Sequence, residues 1–299
     1  MAPVARASGS VSPVHVTTLR LGSRTVDLEH RPLVMGILDV APPAADGRPA
    51  LDRLVRRAEA LIAQGADLLD VGASGRADGA GPAAAPGTVE DEELESVVRA
   101  LEALSGRFEV TLSVATSRAS VARAAFGAGA VVGNDPSGFA DPDYLAVAAE
   151  CGATVVAGHP GPVAGPLDTG AVGVDDVVGV VRDFLVGCIG RALAAGVTAD
   201  RIVVDAGLGR GKTPRQALAL LRGSDQLADL GHALLLSVED GTFADGAPGR
   251  RDDPCPGATS LGVTSLGGIL GCRVVRVRDV AAHRQACAVL AAVDRVARS

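Results

Sequence analysis

Asp205 heads a glycine-rich run, VVDAGLGRGKT (203–213), that contains Lys212, the sole lysine of the chain. An apolar strand leading into Gly-Lys-Thr raises phosphate chemistry, because backbone N–H groups of such loops cradle phosphate oxygens. The spacing argues against it, since the first glycine of that pattern falls on Ala206. Other chemistry-bearing residues also stand where apolar runs end. They are Asp39, Ser74 with Arg76, Asn134 with Asp135, His159, Glu239 with Asp240, and Arg276, Arg278 and Asp279. Ser74 and Ser113 have no His-Asp partners in a recognisable nucleophile arrangement, so serine-hydrolase chemistry is not expected. The five cysteines form no CxxC pair and have no histidine at ligand spacing, which argues for reduced core thiols and against zinc.

The elements that must position these residues are regular. Strand-like runs occur at 32–38, 66–72, 109–114, 130–133, 154–158, 201–207, 233–238 and 273–277. Between them lie helical patterns such as LDRLVRRAEALIAQGA and VVGVVRDFLVGCIGRALAAG, several ending in Ala-Gly or Gln-Gly-Ala, a left-handed stop signal. Eight strands, each followed by a helix, predict an α/β fold of the (β/α)8 TIM-barrel type. In such a barrel the C-terminal strand ends share one mouth, so the polar residues converge. Ahead of it, VTTLRLGSRTVDL (16–28) predicts a β-hairpin around Gly-Ser. Residues 1–14 are expected as a disordered tail and 15–299 as one domain, with ADGAGPAAAPG (77–87) as a strand-to-helix loop. The acidic stretch EDEELE (90–95) is read as the first turns of a helix, favoured by its dipole, and His15, His30, His232 and His283 as surface residues.

Hydrophobic residues make up 47% of the 299, enough for a large core, yet aromatics are 2%, so Ala, Val and Leu must build it. A net charge of −7 disfavours nucleic acid and anionic membrane surfaces as partners. No stretch has the apolar length of a membrane span or a secretory signal, and a cytoplasmic location is expected.

Taken together, the motifs resemble those of the dihydropteroate synthase family. VVDAGLGRGKT is similar to its sixth-strand motif, VVGNDPSG (131–138) to its fourth-strand Asn-Asp-x-x-Gly, and VVRVRDV (274–280) to its last strand. MGILDVAP (35–42) and LLDVGASGR (68–76) resemble its first and second loops, and the likeness runs in order over about residues 15–297. The family joins p-aminobenzoate to a dihydropterin bearing a CH2-pyrophosphate in folate biosynthesis. Pyrophosphate leaves first, so positive charge develops on the pterin methylene. The resemblance implies pterin binding by Asn134, Asp205 and Arg276, with Asp205 taking the amino-pyrimidine edge through two parallel hydrogen bonds. It implies pyrophosphate contact by Arg76 and Arg278, a weak metal contact at Asp39 for Mg²⁺ if the protein is active, and a homodimer packed through late helices such as SLGVTSLGGILG (260–271).

Several positions depart from the family pattern. Ala115 stands where the third-strand Ser-Ile-Asp-Thr carries its acid, and no lysine follows the seventh strand, where the chain reads SVEDGTF with Asp240 or Gly241 opposite. Arg278 replaces a histidine, Arg210 replaces a phenylalanine, and the first loop keeps Asp39 and Pro42 but loses its Thr, Asp, Ser and Phe. The expectation is a dihydropteroate-synthase-like protein with lost or altered catalysis and a residual pterin pocket, in which no catalytic residue is confidently retained. The alternatives are an active dihydropteroate synthase, a corrinoid-partnered methyltransferase and a non-enzymatic interaction partner.

Overall fold

The computed structural model describes residues 16–40, 48–73, 88–161, 176–238 and 256–298. The expected tail, Ser74, Arg76, the 77–87 loop and the Glu239–Gly241 register all lie outside them.

Eight parallel strands close into a barrel in the order β10-β3-β4-β5-β6-β7-β8-β9. They are β3 (Leu33–Val40), β4 (Leu68–Ala73), β5 (Thr111–Ala115), β6 (Val132–Asp135), β7 (Thr154–Gly158), β8 (Ile202–Asp205), β9 (Ala233–Ser237) and β10 (Cys272–Val277). All eight predicted runs therefore form the barrel. An antiparallel hairpin, β1 (Thr18–Leu21) and β2 (Arg24–Asp27), precedes it and turns at Gly22 with φ +61°. Glycine at the first central position of a two-residue turn matches the twist of the flanking strands.

Alternation along each strand sorts residues between two cores. Val34, Leu69, Val71, Val114, Val155, Val204, Leu236 and Val275 face outward into the layer shared with the helices. Met35, Leu68, Val132, Val156, Val203, Leu235 and Val274 fill the barrel interior, joined by Leu19, Leu21 and Leu28 from the hairpin. The hairpin sits beneath the N-terminal strand ends, where Arg201 donates to the Gly22 carbonyl at 2.8 Å and Thr154 donates to the Arg20 carbonyl. That end is sealed with aliphatic side chains. Polar chemistry is left to the other.

Helices α1 (Arg48–Ala63), α2 (Thr88–Ser105), α3 (Ala119–Gly127), α4 (Tyr144–Glu150) and α5 (Val177–Ala194) wrap the first part of the barrel. After β8 the chain forms α6 (Pro214–Arg222) and α7 (Ser224–Ala228), and α8 (Pro256–Ile269) and α9 (Val280–Arg298) complete the ring. Helix α2 carries Glu90 and Asp91 in its first turn, as its dipole favours. Glu93, however, is buried and clamps Thr116 at 2.7 Å and the Arg118 guanidinium, so part of the acidic stretch braces β5 rather than facing water.

Two histidines read as surface residues are in fact buried. His283 lies between α8 and α9, with Nδ1 2.8 Å from Thr264 Oγ1 and Nε2 3.2 Å from Ser260 Oγ. His232 lies 3.2 Å from the Ala199 carbonyl. His283 fits because both ring nitrogens have hydroxyl partners, and His232 has the Ala199 carbonyl at its Nδ1. His30 is exposed, and His15 is outside the described residues. Cys188, Cys272 and Cys287 are buried free thiols and Cys151 an exposed one, while Cys255 is outside the described residues. Among the described residues no helix is long and apolar enough to cross a membrane.

Candidate active site

Above the aliphatic floor the inward positions turn polar. Asp70 and Ser113 are register partners on β4 and β5, and Arg276 and Ser237 are partners on β10 and β9. Asp70 is the hub of this layer. Its Oδ1 accepts Ser113 Oγ at 2.6 Å, and its Oδ2 accepts Asn134 Nδ2 at 2.9 Å and Arg276 Nε at 2.7 Å. Arg276 also donates to Ser237 Oγ at 3.4 Å. A buried charge pair of this kind is tolerated because every carboxylate oxygen is engaged. Asp70 was not among the sequence candidates. It lies two residues inside β4 rather than at the strand's end, and its only signal was an acid in an otherwise apolar strand.

Asn134 and its neighbour divide two tasks. Asp135 points the other way and holds the turn after β6, accepting Ser137 N at 2.7 Å, Ser137 Oγ at 2.6 Å and Phe139 N at 2.9 Å. Burial raises its pKa, and those donors pull it back. With the turn braced by Asp135, the Asn134 amide is free to face inward, aligned by Asp70.

Asp205 ends β8, opposite Gly158 of β7. One carboxylate oxygen, Oδ1, accepts Gly207 N at 2.8 Å, which braces its own loop. Gly207 has φ +61°, and a Cβ there would sit 2.4 Å from the His159 carbonyl oxygen, so only glycine allows this approach. The Gly-Lys-Thr run does not form a phosphate loop. Thr213 instead caps α6 in a reciprocal box with Gln216, with Pro214 at the first helical position. Lys212 Nζ lies 3.1 Å from His159 Nδ1 and within 3.4 Å of the carbonyls of His159, Gly161 and Arg210. Burial lowers the Lys212 pKa to about 8, opposed by the Asp205 charge. Burial, aided by the Lys212 charge, lowers that of His159 to about 4. His159 is thus a neutral packing residue, its ring 4.7 Å from that of Phe184 and tilted 59° to it. The lysine ties the loops after β7 and β8 together.

The remaining expectations lie at the rim. Arg278 and Asp39 form an ion pair that is about half exposed. No group of three or more His, Cys, Asp or Glu side chains among the described residues is arranged to hold a metal. Ala115 is buried, level with Asn134 in register, and presents a methyl group beside Gly72, whose own Cβ position lies 3.0 Å away. Structure thus joins Asn134 and Arg276 through Asp70, and brings Asp205 to the same mouth two strands along from Asn134.

The barrel is thus closed at one end and carries an acid, an amide and an arginine at the other. The family model described as pterin binding enzyme matches residues 35–247. The dihydropteroate synthase of Synechocystis is 32% identical over 93% of this chain and 95% of its own length. That of Mycobacterium leprae is 34% identical over 87% and 92%. A solved structure of dihydropteroate synthase from Xanthomonas albilineans in complex with 7,8-dihydropteroate superposes with a TM-score of 0.78, at 31% identity over 92% of this chain and 98% of that one. The chain belongs to the dihydropteroate synthase family.

Proposed function

We propose that the protein is a dihydropteroate synthase: it binds a dihydropterin pyrophosphate in the barrel mouth and condenses it with p-aminobenzoate. The observation that carries this reading is the Asp70–Asn134–Arg276 network, which fixes an amide edge and a guanidinium inside the barrel with Asp205 on the facing wall. The free oxygen of Asp205 and the carbonyl of Asn134 offer acceptors to the N–H edges of a flat heterocycle, and a planar guanidinium suits its face or its pyrophosphate. Asp70 and Arg276 cancel, and the Asp205 carboxylate, partly offset by the Lys212 charge, supplies the negative charge that favours a cationic methylene. In the reaction the methylene C–O bond breaks with its electron pair going to pyrophosphate. The aryl amine then forms the new C–N bond and releases a proton. The names carried by the relatives support the same reading.

Arg278 and Arg76 are the proposed anion contacts. Mg²⁺, which is commonly bound through one or two carboxylates plus substrate phosphates, would be held by Asp39 and would neutralise charge on the departing pyrophosphate. Exposed apolar residues on α8 and α9, namely Leu266, Ile269, Val289, Val293 and Val296, support pairing of two copies through these helices.

A second reading, pterin binding with weak or no turnover, is favoured by Ala115. A methyl group there offers the developing cation nothing. Calorimetric titration with the dihydropterin pyrophosphate, followed by an assay of pyrophosphate and dihydropteroate formation with p-aminobenzoate, separates the two. Binding with turnover establishes the synthase; binding alone leaves the second reading. Absence of binding removes both.

A further inference from the structure

Asn134 and Asp205 stand on β6 and β8, with only β7 between them. That strand ends at Gly158, where a Cβ would fall 2.9 Å from Pro136 Cα and 3.0 Å from the Asp135 carbonyl oxygen. The intervening strand thus offers no side chain to space the loops that follow β6 and β8. Both loops instead meet a side chain from outside the barrel, Phe184 of α5, half-buried against the outer core.

The Phe184 ring lies on the turn after β6, so closely that a Cβ added to Gly138 would sit 2.5 Å from its Cζ. The same ring has its centroid 4.7 Å from that of His159. His159 in turn supports the loop of Asp205. Its N–H donates to the Asp205 main-chain carbonyl at 2.9 Å, its carbonyl abuts Gly207, and its Nδ1 is 3.1 Å from Lys212 Nζ. Farther along α5, Arg191 donates from Nη2 to the Gly138 carbonyl at 2.7 Å, and the Cys188 thiol donates to the same oxygen at 3.4 Å. Phe184, Cys188 and Arg191 recur at helical spacing and so share one face, which holds the turn after β6 in place. Phe139, next to that carbonyl, is the only non-glycine with positive φ among the described residues, at +67°. A backbone of this kind persists where its surroundings enforce it.

We infer that Phe184 and Arg191 are positioning residues, which set the separation of Asn134 and Asp205 across β7. This role rests on the pterin reading of the mouth, in which one flat heterocycle must meet both residues at once. Phe184 is a stiff spacer, because an aromatic ring cannot bend and the close-packed interior passes its thickness on to the two loops. Arg191 holds the Asn134 side of the pair against that spacer. Both act through the backbone that carries the grip, not by contact with the ligand.

The test is calorimetric titration of the full chain and its variants with the dihydropterin pyrophosphate, alongside urea unfolding of each. Phe184→Leu removes the ring and Arg191→Ala removes the donor to Gly138. Each is expected to lower affinity about tenfold, the scale of one displaced hydrogen bond. Arg191 is exposed, so its alanine variant should keep the parent's unfolding midpoint. Arg191→Lys keeps a charged donor and should recover most of the affinity. Val181→Ala truncates a fully buried residue of the same helix and serves as the control, with a lower midpoint and the parent's affinity expected. Affinity undiminished in both Phe184→Leu and Arg191→Ala overturns the assignment. So does an equal loss in Val181→Ala, or no recovery in Arg191→Lys, because either marks a general loosening of α5. A parent protein that binds no dihydropterin pyrophosphate removes the reading of the mouth itself, and this role with it.

Discussion

Arg276 Nε and Asp70 Oδ2 are 2.7 Å apart, in a pair whose side chains are 8% and 0% exposed, and the same oxygen also receives the amide of Asn134. Removing one partner of a buried pair leaves the other charge uncompensated. Asp70→Ala is therefore expected to lose about 3–5 kcal/mol in urea unfolding, and pterin affinity should fall with it as Asn134 loses its alignment. An unchanged unfolding midpoint would mean the carboxylate does not bear on the fold.

Asp205 and Asn134 are the residues proposed to hold the ligand directly. Asp205→Asn replaces an acceptor with a group that presents N–H to N–H, and pterin affinity should fall about 100-fold, the scale of a mispaired buried polar group. Asn134→Ala should cost about tenfold. Both are read by calorimetry, and equal affinity in the Asp205 variant would remove the proposed grip.

Ala115 lies beside Asn134, where a carboxylate would face the pterin methylene. Ala115→Asp is expected to raise turnover by about 10²-fold through stabilisation of developing positive charge. It should also lower stability, because Asp70 is already buried on the neighbouring strand. The steady-state rate with p-aminobenzoate decides, and no gain would show that the site does not need this acid.

His159 gives a pH signature. Its folded pKa of about 4 lies below the ordinary 6.5, so between those values the unfolded chain binds a proton that the native one does not. Stability then rises with pH across that window and falls as the solution is acidified through it, by up to about 3 kcal/mol for this group. His159→Gln should flatten the slope of urea midpoints between pH 4 and pH 6.5. Lys212, lowered from 10.5 to about 8, works in the same direction at alkaline pH: stability rises from about 8 to 10.5.

Gly207 holds the Asp205 loop. With φ +61° and a Cβ that would meet the His159 carbonyl at 2.4 Å, Gly207→Ala must move backbone rather than a side chain. A strain of about 1–3 kcal/mol is expected, with a loss of pterin affinity exceeding the loss of global stability. Retained affinity in this variant would separate loop geometry from the grip.

The barrel was legible because its signal is repeated. Each of the eight apolar runs contributes one strand, and the alternation of inward and outward residues needs no side-chain detail. The hairpin was equally plain from Gly22-Ser23 between β-prone flanks. Candidates were legible only at strand ends, which is why Asn134, Asp205 and Arg276 were picked out and Asp70, which the structure joins to two of them, was not. A residue one layer down acts through partners on β5, β6 and β10, and such pairings are set by barrel register, which the linear sequence does not display. Buried His283 was misread, and the clamp of Glu93 on Thr116 missed, for the same reason: the partners come from other elements. Thr213 shows the reverse case, since its capping box with Gln216 is local and spaced as such boxes are.

The hairpin beneath the barrel stoppers one end with Leu19, Leu21 and Leu28. A vessel with a single doorway imposes an order on its traffic. Whatever lies deepest must arrive first and depart last, so under the proposed function a heterocycle resting on the Asp70 layer would be trapped while its aryl partner occupied the entrance. Cutting away the stopper would not merely shorten the chain. It would strip Leu19, Leu21 and Leu28 from the aliphatic plug of Met35, Leu68 and Val132 and wet that plug from below.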